Sequence, residues 1–279
     1  MNKGILYLVP TPVGNLEDIT LRALSTLKSV TLIAAEDTRH SGKLLKHYEI
    51  KTHAVSYHKF NERQRTGQLL EKLQSSEDIA LITDAGSPGI SDPAGILVAE
   101  CVSNGIQVCA LPGATAFVPA LTASGLNCDS FLFAGFPPDK LTKRKELLQR
   151  LLHIPETLVF YEAPHRIHKF ISELSEIFGE RHCVVARELT KLHESFYRGN
   201  LDKLVANLKA IPEKGEFVII VDGATEATIT DKEITARLTE LFRQGERLKK
   251  AVKVVSELLK IPRNRVYTLA LKLKKADTD

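Results

Sequence analysis

The chain has no tryptophan, one methionine and only four cysteines. The cysteines form no Cys-x-x-Cys pair and lie in apolar or turn contexts, which predicts reduced packing residues rather than disulfides. The longest apolar runs, 5–9 and 217–221, fall far short of the roughly 20 residues that cross a bilayer, so no membrane span is expected. Residues 1–4 lead directly into a strand-like segment without the apolar core of a signal peptide. We therefore expect a cytoplasmic protein.

Two common nucleotide-binding signatures are also missing. No G-x-x-x-x-G-K-[ST] sequence occurs, which argues against a P-loop NTPase, and no G-x-G-x-x-G follows the first predicted strand. Pro10 and Pro12 remove amide donors from the loop after that strand, which would weaken a pyrophosphate cradle. These absences favour a ligand without phosphates that is held mainly by backbone atoms.

Length and composition indicate a globular protein of about two domains, since the chain has 279 residues of which 43% are hydrophobic and 26% charged. The net charge of +4 is unevenly distributed, because residues 231–279 contain 13 of the 38 Lys and Arg but only 7 of the 34 Asp and Glu. A basic C-terminal segment on a nearly neutral body is typical of a module that binds a polyanion, although a solvated surface gives the same balance.

Apolar segments alternate with helical periodicity over most of the chain. Residues 1–114 contain predicted strands at 5–9, 31–35, 52–57, 79–83 and 106–111, separated by helices, which is typical of a parallel sheet covered on both faces. Residues 115–228 repeat the pattern, with strands at 130–134, 157–161, 183–187, 195–198 and 216–222. The direction of the last two strands stays open, with an antiparallel arrangement as one alternative. The predicted fold class is α/β, with two α/β/α domains.

Residues 229–279 contain three predicted helices and no strand. The sequence from Val255 to Tyr267 has the rhythm of a helix-turn-helix, with a tight connection at Ile261-Pro262. We expect a small basic bundle that contacts RNA, and the alternative is an exposed lid whose charges only solubilise it. The candidate phosphate-contacting cations are Lys249, Lys250, Lys253, Arg263 and Arg265.

Three loops rich in Gly and Pro follow strands of the first predicted sheet. They cover residues 10–16, 84–92 and 112–116, and each precedes a helix. Because ligands of parallel sheets bind beyond the carboxyl ends of the strands, and because glycine lets a backbone approach a ligand closely, these loops together predict a ligand cleft.

Charged side chains also follow the strands. Glu36, Asp37 and Arg39 follow the second strand, and two carboxylates with one guanidinium form a costly cluster unless they have a partner. Asp92 precedes Pro93 at a predicted helix start, so we interpret it as a helix cap. Other candidates are Asp84, Glu162, His165 and Arg166; with no cysteine or carboxylate at matching spacing, no metal site is expected at His165 and His168.

Several motifs carry a resemblance that covers nearly the whole chain. They are Pro12-Val13-Gly14-Asn15-Leu16, Ala35-Glu36-Asp37-Thr38-Arg39, Asp84-Ala85-Gly86-Ser87-Pro88, Ile90-Ser91-Asp92-Pro93, Leu111-Pro112-Gly113-Ala114, Phe133-Ala134-Gly135-Phe136-Pro137, Glu162-Ala163-Pro164-His165-Arg166 and Arg187-Glu188-Leu189-Thr190-Lys191. In content and order they resemble the ribosomal RNA small-subunit methyltransferase I family, a tetrapyrrole-methylase-like branch of the class III S-adenosylmethionine (SAM) methyltransferases. The resemblance implies SAM as cofactor, a homodimer, and methylation of a cytidine 2′-hydroxyl in the decoding region of the 16S rRNA of the small ribosomal subunit.

The resemblance also implies site residues. The expected cofactor contacts are Asp84, Ala85, Gly86, Ser87, Ile90, Ser91, Thr115, Ala116 and Tyr161. Gly86-Ser87-Pro88 replaces the Gly-Asp-Pro of the wider superfamily, so the role of that aspartate is not carried over. On the acceptor side the expected contacts are Pro12, Gly14, Asn15 and His165.

Methyl transfer to a ribose hydroxyl depends on positioning and gains from a proton acceptor. We expect Glu36 or Asp37 to be the base, with Glu162 as the alternative, while Arg39, Arg166 and Lys191 orient phosphates. A basic cluster at 140–145 is a second phosphate contact or merely a solvated helix start. Two other functions stay open: methylation of a small heterocycle such as a tetrapyrrole, and a non-catalytic RNA-binding role.

Overall fold

A computed structural model of the chain describes residues 3–224, 231–259 and 261–276. The chain divides into two compact units, Met1–Gly223 and Ala224–Asp279. The larger unit holds two β-sheets with helices packed against them, and the smaller unit is helical. The predicted α/β fold class is therefore confirmed. Within the described ranges, no helix has both the length and the apolar character needed to cross a membrane.

The first sheet is parallel throughout, as predicted. Its strands have the spatial order β3-β2-β4-β1-β5. They are β1 (Leu6–Leu8), β2 (Leu32–Ala35), β3 (Ala54–Ser56), β4 (Ile79–Ile82) and β5 (Val108–Ala110), and the helices between them are α1 (Leu21–Ser29), α2 (Thr38–His47), α3 (Glu62–Gln74) and α4 (Gly95–Ser103). Two apolar clusters, one that includes Leu81 and one that includes Ile33, pack on the two faces of this sheet.

The second sheet is mixed, with the spatial order β6-β7-β10-β8-β9. Its elements are α5 (Phe117–Thr122), β6 (Phe131–Gly135), α6 (Leu141–Leu151), β7 (Thr157–Glu162), α7 (Ile167–Phe178), β8 (His182–Arg187), β9 (Ser195–Asn200), α8 (Leu201–Ala206) and β10 (Phe217–Val221). Strand β10 lies between β7 and β8 and is antiparallel to both, and β9 is antiparallel to β8. The last two strands therefore run in the same direction, opposite to the other three, and are not neighbours.

Side-chain caps explain where two of the helices that connect strands of the first sheet begin. The Thr20 hydroxyl accepts the Ala23 amide at 3.0 Å at the start of α1, and Asp37 accepts the Arg39 amide at 2.9 Å at the start of α2. The cap interpretation of Asp92 is wrong. Helix α4 begins only at Gly95, its N-cap is Ala94, and no side chain caps it. The chain instead turns through Ser91 at a φ of 68°, which leaves Asp92 in the loop before the helix.

The smaller unit consists of α9 (Asp231–Arg243), α10 (Leu248–Leu258) and α11 (Arg263–Ala276). Apolar side chains from all three helices form one core, including Ile234, Val252 and Val266. Ile261 and Pro262 connect α10 to α11, as the helix-turn-helix rhythm predicts. The predicted helical character of this C-terminal segment is confirmed.

Candidate active site

The three loops rich in Gly and Pro meet at one edge of the first sheet. Thr11 and Gly86 exchange two backbone hydrogen bonds of 2.9 Å, and the Ser87 hydroxyl donates to the Ala114 carbonyl at 3.0 Å. Gly113 packs so closely on Pro10 that a Cβ atom at Gly113 would lie 2.7 Å from the proline Cβ. Glycine is therefore required for this approach, and the loops form one connected surface.

A segment after β8 closes this surface from the side of the second sheet. A Cβ atom at Gly14 would lie 2.5 Å from Cγ of Lys191 and 2.6 Å from the Leu189 carbonyl oxygen. The segment itself turns sharply, with positive φ angles at Glu188 (54°) and Thr190 (63°). The first loop and the segment 188–191 therefore contact each other directly, and the space between the two sheets becomes a cleft.

The cleft contains a cavity of about 450 Å³. This volume is in the range of sites for small molecules and cofactors. The cavity is lined by all nine of the residues predicted to contact the cofactor, namely Asp84, Ala85, Gly86, Ser87, Ile90, Ser91, Thr115, Ala116 and Tyr161. Glu36 and Glu162, two of the predicted bases, also line it. The structure thus brings the two groups together, and their roles stay predictions.

Glu36 connects the ends of two neighbouring strands. Its Oε2 accepts the Asp84 amide at 3.3 Å, and Asp84 Oδ1 accepts the Asp37 amide at 3.2 Å. Burial raises the pKa of Glu36, and the hydrogen bond from the Asp84 amide opposes this rise. The charge of Asp84 raises the pKa of Glu36 further, whereas the charge of His58 lowers it. A half-buried carboxylate with a raised pKa, in contact with a cavity, is suited to accept a proton.

Asp92 is a charged site residue that the sequence interpretation missed. It lines the same cavity as Glu36 and Asp84. Burial, followed by the negative charges of Glu36 and Asp84, raises the pKa of Asp92 to about 7. Three carboxyl groups therefore line the same cleft, and Asp92 keeps its proton up to about neutral pH.

Asp37 has a different environment from Glu36. Both of its carboxylate oxygens bind the guanidinium of Arg39, at 3.2 Å and 2.9 Å, and the same side chain caps α2. These hydrogen bonds lower the pKa of Asp37 to about 2. Neither residue is among those that line the cavity, and the Arg39 side chain is 90% exposed. The repulsion expected between the carboxylates of Glu36 and Asp37 is thus offset, because Asp37 is paired with Arg39.

Glu162 is fully buried at the end of β7. Its Oε1 accepts the Ala163 amide at 2.7 Å and Nε of Arg166 at 2.7 Å, whereas Oε2 is buried without a hydrogen-bond partner among the described residues. Arg166 also binds the exposed Asp139. Burial raises the pKa of Glu162, and the bonds from Ala163 and Arg166 oppose it. A donor on a bound ligand can satisfy Oε2, since Glu162 lines the cavity.

The remaining predicted acceptor residues are not among those that line the cavity. Asn15 accepts the Glu17 amide at 3.1 Å, while Pro12 is half-buried and His165 is exposed. Lys191 is held by two carboxylates, Glu188 and Glu216, each at 2.9 Å. Lys191 would therefore need to exchange these partners to reach a phosphate.

One residue of the basic cluster at 140–145, Arg144, fits neither the interpretation as a phosphate contact nor that as a solvated helix start. The Arg144 side chain is only 3% exposed and forms a bidentate ion pair with Glu173 of α7, with an Nε to Oε2 distance of 2.6 Å. Arg144 is therefore a structural residue that joins α6 to α7. It is neither a phosphate contact nor part of a solvated surface.

The five cations predicted to contact phosphates are exposed, and several are paired within the smaller unit. Lys250 binds Glu246 at 2.6 Å, and Arg265 binds Asp231 at 2.7 Å. Lys253 lies 4.0 Å from Glu257. Lys249 and Arg263 are exposed as well. Across the described ranges, no three His, Cys, Asp or Glu side chains are grouped so as to hold a metal ion.

Comparison with known proteins defines the class first. Residues 5–205 match the sequence profile of the tetrapyrrole (corrin/porphyrin) methylases. The methyltransferase CobJ has the same fold, with a TM-score of 0.61, 18% identity, and coverage of 79% of this chain and 95% of that one. Uroporphyrin-III-C-methyltransferase from Thermus thermophilus is similar in fold too, with a TM-score of 0.57, 22% identity, and coverage of 78% and 94%. The fold and cleft are those of a tetrapyrrole-methylase-type methyltransferase.

Curated relatives give the particular family. The ribosomal RNA small subunit methyltransferase I of a Synechocystis strain is 46% identical over 97% of this chain and 99% of its own length. The protein of the same name from Pasteurella multocida is 45% identical over 96% and 97%. The chain therefore belongs to the ribosomal RNA small subunit methyltransferase I family, within the tetrapyrrole methylases. The family predicted from the motifs is confirmed.

Proposed function

We propose that the chain uses SAM to methylate the 2′-oxygen of a cytidine in the decoding region of 16S rRNA in the small ribosomal subunit. The observation that carries this proposal is the sequence identity of 45–46% with proteins named ribosomal RNA small subunit methyltransferase I, over nearly their full length. The cavity supports it, because all nine residues expected around the donor line one space. We further propose that the protein acts in the cytoplasm as a homodimer.

The cavity suits SAM in size and chemistry. Its volume of about 450 Å³ can take a nucleoside-sized ligand. Gly86 has a φ of 81°, which favours glycine and lets the backbone of this loop approach a ligand. The unpartnered Oε2 of Glu162 offers an acceptor for a hydroxyl or ammonium group. When bound, SAM would supply the methyl group of its sulfonium, and the neutral thioether would be the leaving group.

The protein's own contribution is positioning and proton removal. The loops 10–14 and 84–92 hold donor and acceptor in line, which supplies much of the rate enhancement of a displacement reaction. Glu36 is the base in this proposal, because it lines the cavity and burial raises its pKa. Asp37 is less suited, since Arg39 engages both of its oxygens. A positioned base contributes roughly 10²- to 10⁴-fold to the rate.

Isosteric variants test the choice of base. Glu36→Gln should lower kcat by roughly 10²- to 10⁴-fold at saturating small subunits and SAM, while Asp37→Asn should retain most of the turnover. Glu162→Gln serves as the comparison for the alternative base. Normal turnover of Glu36→Gln, with a loss in either of the other two variants, would show that the base is misassigned.

Methylation of a small heterocycle is the second candidate, because the matching family and the structural neighbours include porphyrin and corrin methyltransferases. Removing residues 231–279 separates the two. An rRNA methyltransferase should lose affinity for the small subunit and much of its salt dependence while still binding SAM. An enzyme for a small molecule should keep its turnover, and a non-catalytic RNA-binding protein should bind no SAM in calorimetry.

A further inference from the structure

Phe60 is the most exposed of the large apolar side chains in the described residues, at 95% exposure. It lies in the loop between β3 and α3. Single exposed apolar residues are common and need no explanation by themselves. Three features distinguish this one: the loop that carries it is held firmly, cations flank it, and it lies at the cleft edge of the first sheet.

The backbone around Phe60 is fixed on both sides. Before it, Tyr57 is fully buried, and its amide donates to the Ala35 carbonyl at 2.7 Å. After it, Asn61 accepts the His58 amide at 2.8 Å and donates to Ser56 at 3.3 Å. The loop therefore presents the Phe60 ring to solvent from an ordered turn.

The loop lies beside the catalytic end of β2. Because Ser56 pairs with Ala35, Tyr57 lies at the level of Glu36, and the charge of the next residue, His58, acts on the Glu36 carboxyl. The His58 and Phe60 rings form an edge-type contact with centroids 6.1 Å apart. Phe60 therefore lies next to a ring whose charge acts on the cavity residue Glu36.

The charges around Phe60 favour a polyanion. Lys59 and Arg63 are exposed, and neither forms an ion pair within the part of the chain that the structure describes. Arg39, at the neighbouring strand end, is 90% exposed. An aromatic ring between cations is the arrangement with which proteins hold single-stranded nucleic acid, since the ring stacks on a base and the cations contact phosphates.

We propose that Phe60 is a base-stacking residue for the acceptor RNA, holding an unpaired nucleotide next to the one that is methylated, with Lys59 and Arg63 on its phosphates. The inference rests on the proposed function, because it names how an rRNA acceptor is held at this cleft. Phe60 acts on positioning and affinity and takes no part in the chemistry.

The absence of tryptophan from the chain allows a direct test. In Phe60→Trp the new indole is the sole tryptophan, and its fluorescence should be quenched when unmethylated small ribosomal subunits are added, with little change on adding SAM alone. Val102→Trp is the control, because Val102 is also exposed (66%) but lies at the C-terminal end of α4, away from the cleft edge.

Affinity and kinetics complete the test. Phe60→Ala should raise the KM for small subunits roughly 5- to 150-fold, with SAM affinity unchanged, and Phe60→Trp should restore it. The salt dependence should stay normal in Phe60→Ala and become shallower in Lys59→Ala and Arg63→Ala. The stacking role would be overturned by a wild-type KM in Phe60→Ala. It would also be overturned if Phe60→Trp still methylates but is not quenched, or if Phe60→Ala changes the oligomeric mass of the protein. Absence of methyl transfer by the wild-type protein would instead overturn the proposed function.

Discussion

Asp92 offers a sharp test of the cleft electrostatics, because its pKa of about 7 lies well above the ordinary value of 3.8 for an aspartate. Between about pH 4 and pH 7 the folded chain keeps this proton, whereas the unfolded chain has released it. The free energy of unfolding should therefore fall as pH rises through this window. This difference in pKa corresponds to at most about 4 kcal/mol, and partial access of solvent to the side chain reduces the expected effect to about 1–2 kcal/mol.

Asp92→Asn removes the ionisation and nearly preserves the shape. We expect the variant to be more stable than the wild type by about 1–2 kcal/mol at pH 7.5 and equally stable near pH 4. Urea unfolding of the full chain without ligands, followed across this pH range, measures the difference. Asp129→Asn, at an exposed carboxylate, is the control and should keep the wild-type dependence of stability on pH, because it still contains Asp92. If Asp92→Asn loses stability equally at all pH values, the side chain is not a buried acid with a raised pKa.

Three further predictions concern ion pairs and glycine. Arg166→Ala should lower the free energy of unfolding by about 3–5 kcal/mol, because it leaves the buried Glu162 without its cation. Adding Glu162→Gln should recover part of this loss. Wild-type stability of Arg166→Ala would contradict the prediction. Arg144→Ala should lose a similar amount yet keep the salt dependence of rRNA binding, and a shallower salt slope would reveal a phosphate contact. Gly14→Ala should lower kcat/KM roughly 10²-fold, since a Cβ there would collide with Lys191, whereas Gly42→Ala, with no atom within 4 Å of its Cβ, should keep full activity.

The sequence predicts the elements of both sheets, because buried strands and amphipathic helices leave strong periodic patterns. It also predicts that the loops 10–16, 84–92 and 112–116 converge, since the carboxyl ends of parallel strands share one edge. The insertion of β10 between β7 and β8 leaves no such pattern. Strand order in a mixed sheet depends on pairing between distant segments.

The environments of single charged residues were harder to predict. The sequence pattern of Asp92-Pro93 is typical of a helix start, yet α4 begins at Gly95 and Asp92 lines the cavity. Arg144 lies among lysines, but its partner Glu173 is 29 residues away on another helix. Burial and ion pairing of this kind depend on tertiary contacts, and local spacing carries no signal for them. Their positions after strands identify Glu36 and Glu162 as candidates, and the family motifs add the expectation that the two domains share one cleft.

The central claim is that this cleft transfers a methyl group from SAM to a ribose of small-subunit rRNA. Purified protein can be incubated with isotopically labelled SAM and with small subunits from cells that lack this protein. The rRNA can then be mapped by mass spectrometry. We predict one labelled methyl group, on the ribose of a decoding-region cytidine, and its loss with Glu36→Gln. Label on a base, at another site, or nowhere in the rRNA would contradict the account.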